Sequence, residues 1–390
     1  MSQTWISRRT FARGLAAAAA ACAAGPSEEA FAVPENKKVR IGVVGGGFGA
    51  HFHWHEHPAC IVEAVSDLRP DRRRRLQQVY KCKKAYPSLK ELIKDPKVQA
   101  VAVFTEAPNH VRHCTAVMQA GKHALSAVPA GLTLEECAQL LEVKKRTGMK
   151  YMMAETSVWR WPTITARRFY EEGQFGELVY SEVEYYHPMS ERARRNLWYY
   201  AGKRTWRYGY PPMLYPTHCL GFVVGVTGER MVSVSCLGWG RRDDPALKNN
   251  AYGNPFTDQV ALFRTDKGHM VRCNIFWDVA AHGERAQWFG TDMSFYMPSS
   301  GGQPYMVYHK SKGRITVQPN YWHLVPPRMR YDSGHGGSHP FITHEFISAI
   351  LEDREPAVNI YEALAMTVPG IVAHKSSFKG GEAMKIENLQ

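Results

Sequence analysis

One stretch of this chain narrows the possible folds more than any other. Val39-Arg40-Ile41-Gly42-Val43-Val44 is apolar and β-branched, the pattern of a strand buried on both faces of a parallel sheet. It runs straight into Gly45-Gly46-Gly47-Phe48-Gly49-Ala50. Gly45 allows a tight turn, Gly47 lets the backbone approach a ligand without a Cβ in the way, and Ala50 is small enough for the next helix to pack close. A second apolar strand, Ile61 to Ser66, ends on Asp67, about twenty residues beyond the turn. Strand, glycine turn, helix N-terminus and acidic strand end at this spacing make a dinucleotide site. The pyrophosphate belongs over Gly45–Gly49 and the ribose diol on Asp67. A carboxylate there repels a 2′-phosphate and favours NAD, while Arg69 and Arg72 nearby leave NADP open. Gly45, Gly47, Phe48, Gly49, Ala50, Asp67 and Arg69 are the cofactor-binding candidates of this unit.

The alternation continues. Leu89 to Ile93 reads as helix, Val98 to Thr105 as a third buried strand, and His110 to Ala120 as a helix ended by Gly121. Ala124 to Ala127 is strand-like, Thr133-Leu134-Glu135-Glu136 is a capping box opening a helix, and Tyr151 to Ala154 is a further strand. This βαβ rhythm predicts an α/β fold with a doubly wound parallel sheet. A chain of 390 residues is long for one such domain, and 44% hydrophobic residues suffice for a second core.

The first residues read as a targeting signal. Ser7-Arg8-Arg9-Thr10-Phe11 and the weakly apolar run Gly14 to Ala24 predict export by the twin-arginine route, hence a periplasmic or otherwise exported protein. The run is shorter than the roughly twenty residues a membrane span needs, so no stable anchor is expected. Ala30-Phe31-Ala32 offers a cleavage site, and Cys22 offers a lipidation site. The net charge of +13 is spread along the chain, and Arg72 to Arg75 reads as a solvated helix face, so nucleic acid is not an expected partner. The seven cysteines after residue 32 have irregular spacings and no C-x-x-C, which fits neither a disulfide framework nor a zinc site. They are read as buried small hydrophobes, and no metal is expected.

Beyond the glycine turn, the chain carries Pro108-Asn109-x-x-x-His113, Gly121-Lys122-His123, Pro129 and Gly176-Glu177-Leu178. With these it resembles the Gfo/Idh/MocA family of sugar-active oxidoreductases. The resemblance implies a second, α+β domain built on a large, open, mostly antiparallel sheet, with Leu178–Tyr186, Met231–Trp239, Gln259–Thr265 and His269–Trp277 among its strands. It implies helices at Thr343–Leu351 and Tyr361–Ser377 near the domain junction, and a homo-oligomer. It also places Thr105, Pro108, Asn109, His113 and Pro129 near the cofactor. The expected division is 1–32 signal, 33–155 Rossmann domain, 156–340 substrate and oligomerisation domain, and 341–390 C-terminal helical segment.

Two departures from that family bear on the chemistry. Its usual Glu-Lys-Pro motif is here Ala127-Val128-Pro129, and its Asp-x-x-x-His motif is here Leu214-Tyr215-Pro216-Thr217-His218. The missing lysine, the Tyr215-Pro216-Thr217-His218 run and Gly334-His335-Gly336-Gly337 are similar to the branch of NAD-dependent α-N-acetylgalactosaminidases. Oxidising a sugar alcohol needs a base for the hydroxyl proton, and histidine suits that task. His218 is the candidate base, with Tyr215 orienting. Glu155 and Arg160, just after the sixth strand, are expected to face the nicotinamide, with helix capping the alternative for Glu155, and His335 is a further catalytic candidate. Tyr185, Tyr186, His187 and the stretch Trp198 to Tyr210, rich in aromatics and arginine, suit a sugar or acidic-sugar site and equally a packed sheet face or a subunit interface. Export implies a tightly held cofactor and a redox-neutral cycle on a sugar or glycoside: oxidation, elimination or epimerisation, re-reduction. An ordinary sugar dehydrogenase or sugar–sugar oxidoreductase, and a non-catalytic dinucleotide- or sugar-binding protein, are the alternatives.

Overall fold

The computed structural model describes residues 27–31, 33–188, 191–298, 304–387 and 389. The twin-arginine segment and Cys22 lie outside the described residues. Six parallel strands form the first sheet: β1 (Val39–Val44), β2 (Cys60–Ser66), β3 (Ala85–Tyr86), β4 (Ala100–Val103), β5 (His123–Ser126) and β6 (Tyr151–Met153). Their spatial order is β3-β2-β1-β4-β5-β6, the doubly wound order in which chain direction across the sheet reverses between β1 and β4. All four residues of β4 and five of the six in β1 are buried, as strands covered on both faces must be. The strand predicted third along the chain is the fourth, because the two-residue edge strand Ala85–Tyr86 is too short to leave a periodic pattern.

Helices α1 (Pro70–Tyr80), α2 (His110–Gln119) and α3 (Leu134–Thr147) accompany this sheet. Half of the α3 capping box forms as expected, Thr133 accepting from the Glu136 N–H at 3.1 Å, while the Glu136 carboxylate reaches past the N-cap to the Leu132 N–H at 2.8 Å. The expected helix after the glycine turn is instead a single 3₁₀ turn, Phe48–His51, followed by another at Trp54–Glu56. Histidines alternating with bulky aromatics through His51-Phe52-His53-Trp54-His55 give no continuous apolar stripe for a longer helix to bury.

The second sheet has nine strands. In chain order these are β7 (Leu178–Tyr186), then, after the separate hairpin β8 (Tyr199–Tyr200) and β9 (Lys203–Arg204), β10 (Met231–Trp239), β11 (Asp258–Thr265), β12 (Met270–Phe276), β13 (Gly283–Gly290), β14 (Met293–Tyr296), β15 (Met306–His309), β16 (Gly313–Ile315) and β17 (Met384–Lys385). They lie in the order β16-β15-β14-β13-β7-β12-β11-β10-β17, antiparallel except for β7 against β12. The expected strands are present; β13 to β17 were not anticipated, being interrupted by polar and glycine residues. Trp288 of β13 and Phe295 of β14 are nonetheless fully buried, each contributing about 1.5–3 kcal/mol of burial. Leu237, Trp239, Leu262 and Tyr308 stand exposed on the sheet.

Helices α4 (Trp161–Glu171), α5 (Thr217–Thr227), α6 (His339–Leu351) and α7 (Ile360–Phe378) complete the frame. The nearly all-buried α5 is wedged between β7 and the loop after β6, which is what places His218. All seven described cysteines are free and buried. Among the described residues no helix is long and apolar enough to cross a membrane.

Candidate active site

The glycine turn sits at the carboxyl end of β1. Gly45 adopts φ +100°, and a Cβ there would stand 2.2 Å from the Phe104 carbonyl oxygen. Gly47 is different: a Cβ would meet only the Arg72 guanidinium, at 3.7 Å, so the space above it is open. That opening, flanked by a cation, fits a pyrophosphate. Asp67 accepts from the N–H groups of Gly46 at 2.7 Å and Arg69 at 2.8 Å, which fixes its carboxylate beside the turn with lone pairs to spare for a diol. Arg69 is occupied, pairing with Asp71 at 2.7 Å and lying 4.0 Å over the Tyr200 ring. The Arg72 guanidinium stands at the turn, beside Gly47. These residues fit NAD.

A cavity of about 280 Å³ opens at the switch point between β1 and β4. Phe48 and Thr105 line it from the Rossmann side; His218, Tyr215 and His335 line it from the other. Pro108 and Asn109 do not. Pro108 is exposed, and Asn109 accepts from Arg112 at 2.8 Å. Their neighbour His110 lines the cavity instead, its ring nitrogens facing the carbonyls of Pro129 at 2.7 Å and Thr105 at 3.1 Å. His113 supports the wall by contacting the Thr105 hydroxyl at 2.9 Å. Gly49 and Ala50 are buried beneath the turn.

Glu155 does not face the cavity. It is wholly buried behind His218, with Oε1 3.0 Å from His218 Nδ1 and 2.8 Å from the Ser157 N–H. Gly221, one turn along α5 from His218, makes this possible, since a Cβ there would lie 2.9 Å from Glu155 Cγ. A carboxylate thus still reaches the histidine although Leu214 replaces the usual aspartate. Arg160 also turns away, pairing with Glu284 at 2.5 Å.

The electrostatics follow from this burial. Desolvation opposes a charged His218, but the attraction and hydrogen bond of Glu155 outweigh it and raise its pKa above 6.5. Desolvation likewise opposes ionised Glu155, and the His218 charge overrides it, holding that carboxyl below its ordinary range. The His335 ring lies 6.2 Å from that of His218, nearly parallel to it. Burial and the neighbouring His218 push its pKa down to about 4. His339 Nδ1 faces the His51 carbonyl at 3.1 Å and therefore carries its proton. Its Nε2 then accepts from His335 Nδ1 at 3.2 Å, which leaves His335 Nε2 with a bare lone pair. Two neighbouring imidazoles are split in basicity, the arrangement that separates acid–base roles.

Tyr185, Tyr210, Tyr215, Trp206 and Trp277 form an aromatic wall, and Arg207 stands among them. Sequence reasoning missed His110, Thr156 and Trp277. Trp277 had a signal, because it follows β12 at the same sheet end as Tyr185 and Tyr186 of β7 and His187 just after them.

Residues 39–155 match the model of the oxidoreductase family with the NAD-binding Rossmann fold. This is a Gfo/Idh/MocA Rossmann domain. The chain is similar in fold to levoglucosan dehydrogenase solved with NADH and L-sorbose, with a TM-score of 0.76 over 90% of this chain and 100% of that one at 16% identity. In sequence it is 26% identical over 288 residues to a glycosyl hydrolase family 109 protein of Porphyromonas gingivalis, covering 66% of this chain and 60% of that relative. An α-N-acetylgalactosaminidase of Shewanella oneidensis is 28% identical over 48% of this chain and 44% of its own length. The chain thus spans 44% to 60% of the length of these two relatives. In the Gfo/Idh/MocA framework, Ala127 and Val128 are the cavity residues that stand where the family's glutamate and lysine are expected.

Proposed function

We propose that this chain is an NAD-dependent enzyme acting on a sugar or glycoside by a redox-neutral cycle, with His218 as the base and the cofactor retained between turnovers. The observation that carries this reading is the buried Glu155–His218 pair at the wall of a cavity beside the glycine turn. Bound NAD supplies hydride acceptance and return at its nicotinamide. Glu155 holds the Nδ1 proton of His218, so Nε2 is the nitrogen free to take a proton from a sugar hydroxyl. The imidazolium that results is stabilised by the same carboxylate and keeps the proton available for return. His335 Nε2 accepts a hydrogen bond from a second hydroxyl. Tyr215 and Tyr185, with rings 5.0 Å and 4.7 Å from that of His218, give the sugar apolar faces to lie on.

A ketone formed beside C2 acidifies the C2 proton. Its removal lets the C1 substituent leave with its bonding electrons, and water adds at C1 before the carbonyl is reduced again. The glycosyl hydrolase relatives and the absence of lysine at Val128 support this cycle over a plain dehydrogenase. Turnover in deuterium oxide tests it: recovered sugar should carry solvent deuterium at C2, and sugar without deuterium would favour simple oxidation. The exposed Leu237, Trp239, Leu262 and Tyr308 of the large sheet support a homo-oligomer. Export to the periplasm through Arg8-Arg9 remains part of the proposal, resting on the sequence alone.

A further inference from the structure

The cavity has a charge pattern that the proton chemistry leaves unused. Among the described residues its lining contains no aspartate or glutamate, yet it contains Arg207. The guanidinium carbon lies 4.2 Å over the Trp206 ring and 6.0 Å from the Tyr215 ring, so aromatic faces hold it at the wall. Several other half-buried arginines have carboxylate partners: Arg160 with Glu284, Arg194 with Asp244, Arg230 with Glu362, Arg285 with Glu184 and Arg354 with Glu345, while Arg73 and Arg330 donate to the backbone carbonyls of Asp67 and Val325. No described carboxylate pairs with Arg207. The carboxylates nearest the cavity are engaged, Glu155 by His218 and Ser157, Glu284 by Arg160 and Ser157. Glu106, in the loop after β4, is exposed and not part of the wall.

A ligand that closes this cavity removes water from the guanidinium, and a desolvated cation without a counter-charge is strongly unfavourable. The ligand itself must supply the anion. The cofactor's pyrophosphate is accounted for elsewhere, at Gly47 beside Arg72. We propose that the sugar this site takes is anionic, bearing a carboxylate or a sulfate ester that Arg207 grips by a two-pronged pairing. Guanidinium geometry matches either group, which a lysine would hold only as a point charge. Tyr215 stands between the two ends of the site, its ring 5.0 Å from that of His218 and 6.0 Å from the Arg207 carbon. One edge of a sugar ring can therefore present a hydroxyl to His218 while another presents its anion to Arg207. The inference rests on the sugar-active reading above and names its substrate class.

Calorimetry on the NAD-loaded protein tests it with methyl glucuronide against methyl glucoside, methyl galacturonide against methyl galactoside, and glucose 6-sulfate. The better acidic sugar should bind about tenfold or more tighter than its neutral counterpart, and added salt should shrink the gap. In Arg207→Gln the gap should close with NAD content unchanged, and Arg207→Lys should restore part of it. The carboxylate and sulfate arms then identify which anion is preferred. Equal affinity for acidic and neutral sugars in the wild type would overturn the inference and leave the sugar reading standing. So would a preference that survives Arg207→Gln, or a variant that loses NAD while keeping the preference. Binding of none of the five sugars would overturn the sugar reading as well.

Discussion

Glu155 Oε1 lies 3.0 Å from His218 Nδ1, with both side chains buried and the histidine alone reaching the cavity. The two charges hold each other in their ionised forms, which has consequences for both rate and stability. As a base, His218 must be neutral, and its pKa is raised above 6.5. The rate should therefore climb with pH along a limb centred above 6.5. Glu155→Gln removes the raising influence and leaves desolvation in charge. The limb should move below 6.5 and the maximal rate should fall by about tenfold or more, as read from a pH–rate profile.

The same pair predicts a stability window. His218 has a folded pKa above its ordinary 6.5, so its contribution is complete below pH 6.5 and is lost as pH rises through the folded value. Glu155 has a folded pKa below its ordinary 4.5, so its contribution is present above pH 4.5 and is lost as pH falls through the folded value. Wild type should exceed Glu155→Gln in denaturation midpoint most between pH 4.5 and 6.5. The excess should shrink on either side.

Replacing the base separates chemistry from cofactor binding. His218→Ala should lower turnover by about 10²–10⁴-fold while NAD copurifies at the wild-type level. Near-normal rates would place the base elsewhere.

Much of the Rossmann domain was legible because its signals are local. The β-branched β1, the glycine turn, Asp67 and the Thr133 capping box each announce themselves within a few residues. The site was only half legible because its contacts are long-range. Glu155 meets His218 across 63 positions of chain, and the vacancy that admits it comes from Gly221. Nothing in the residues around Glu155 tells that it points away from the cavity. The 3₁₀ turn at Phe48 and the loss of Pro108 and Asn109 from the wall likewise depend on how neighbouring loops pack.

The glycine turn offers a test that distinguishes fold from ligand. At Gly47 a Cβ meets no protein atom closer than 3.7 Å, whereas at Gly45 it would collide with the Phe104 carbonyl. Gly47→Ala should change stability by no more than about 0.5 kcal/mol yet weaken NAD binding by about tenfold or more, whereas Gly45→Ala should impair folding itself. Unfolding curves of the cofactor-free proteins and NAD titrations would measure the two effects.

Tautomer control of His335 can be tested through its partner. His339→Phe keeps the packing against Phe52, whose ring is stacked at 4.4 Å, but removes the acceptor at Nε2. Nitrogen NMR should show the His335 Nδ1–H form in the wild type and a mixture of tautomers in the variant. Turnover should fall while NAD content stays the same.

The most direct measurement follows aglycone release and reduced nicotinamide together, in purified protein carrying its copurified NAD with none added. The redox-neutral account predicts many turnovers of aglycone with no net accumulation of NADH. Aglycone-free production of NADH that stops when the bound NAD is consumed, and resumes only when fresh NAD is supplied, would contradict it.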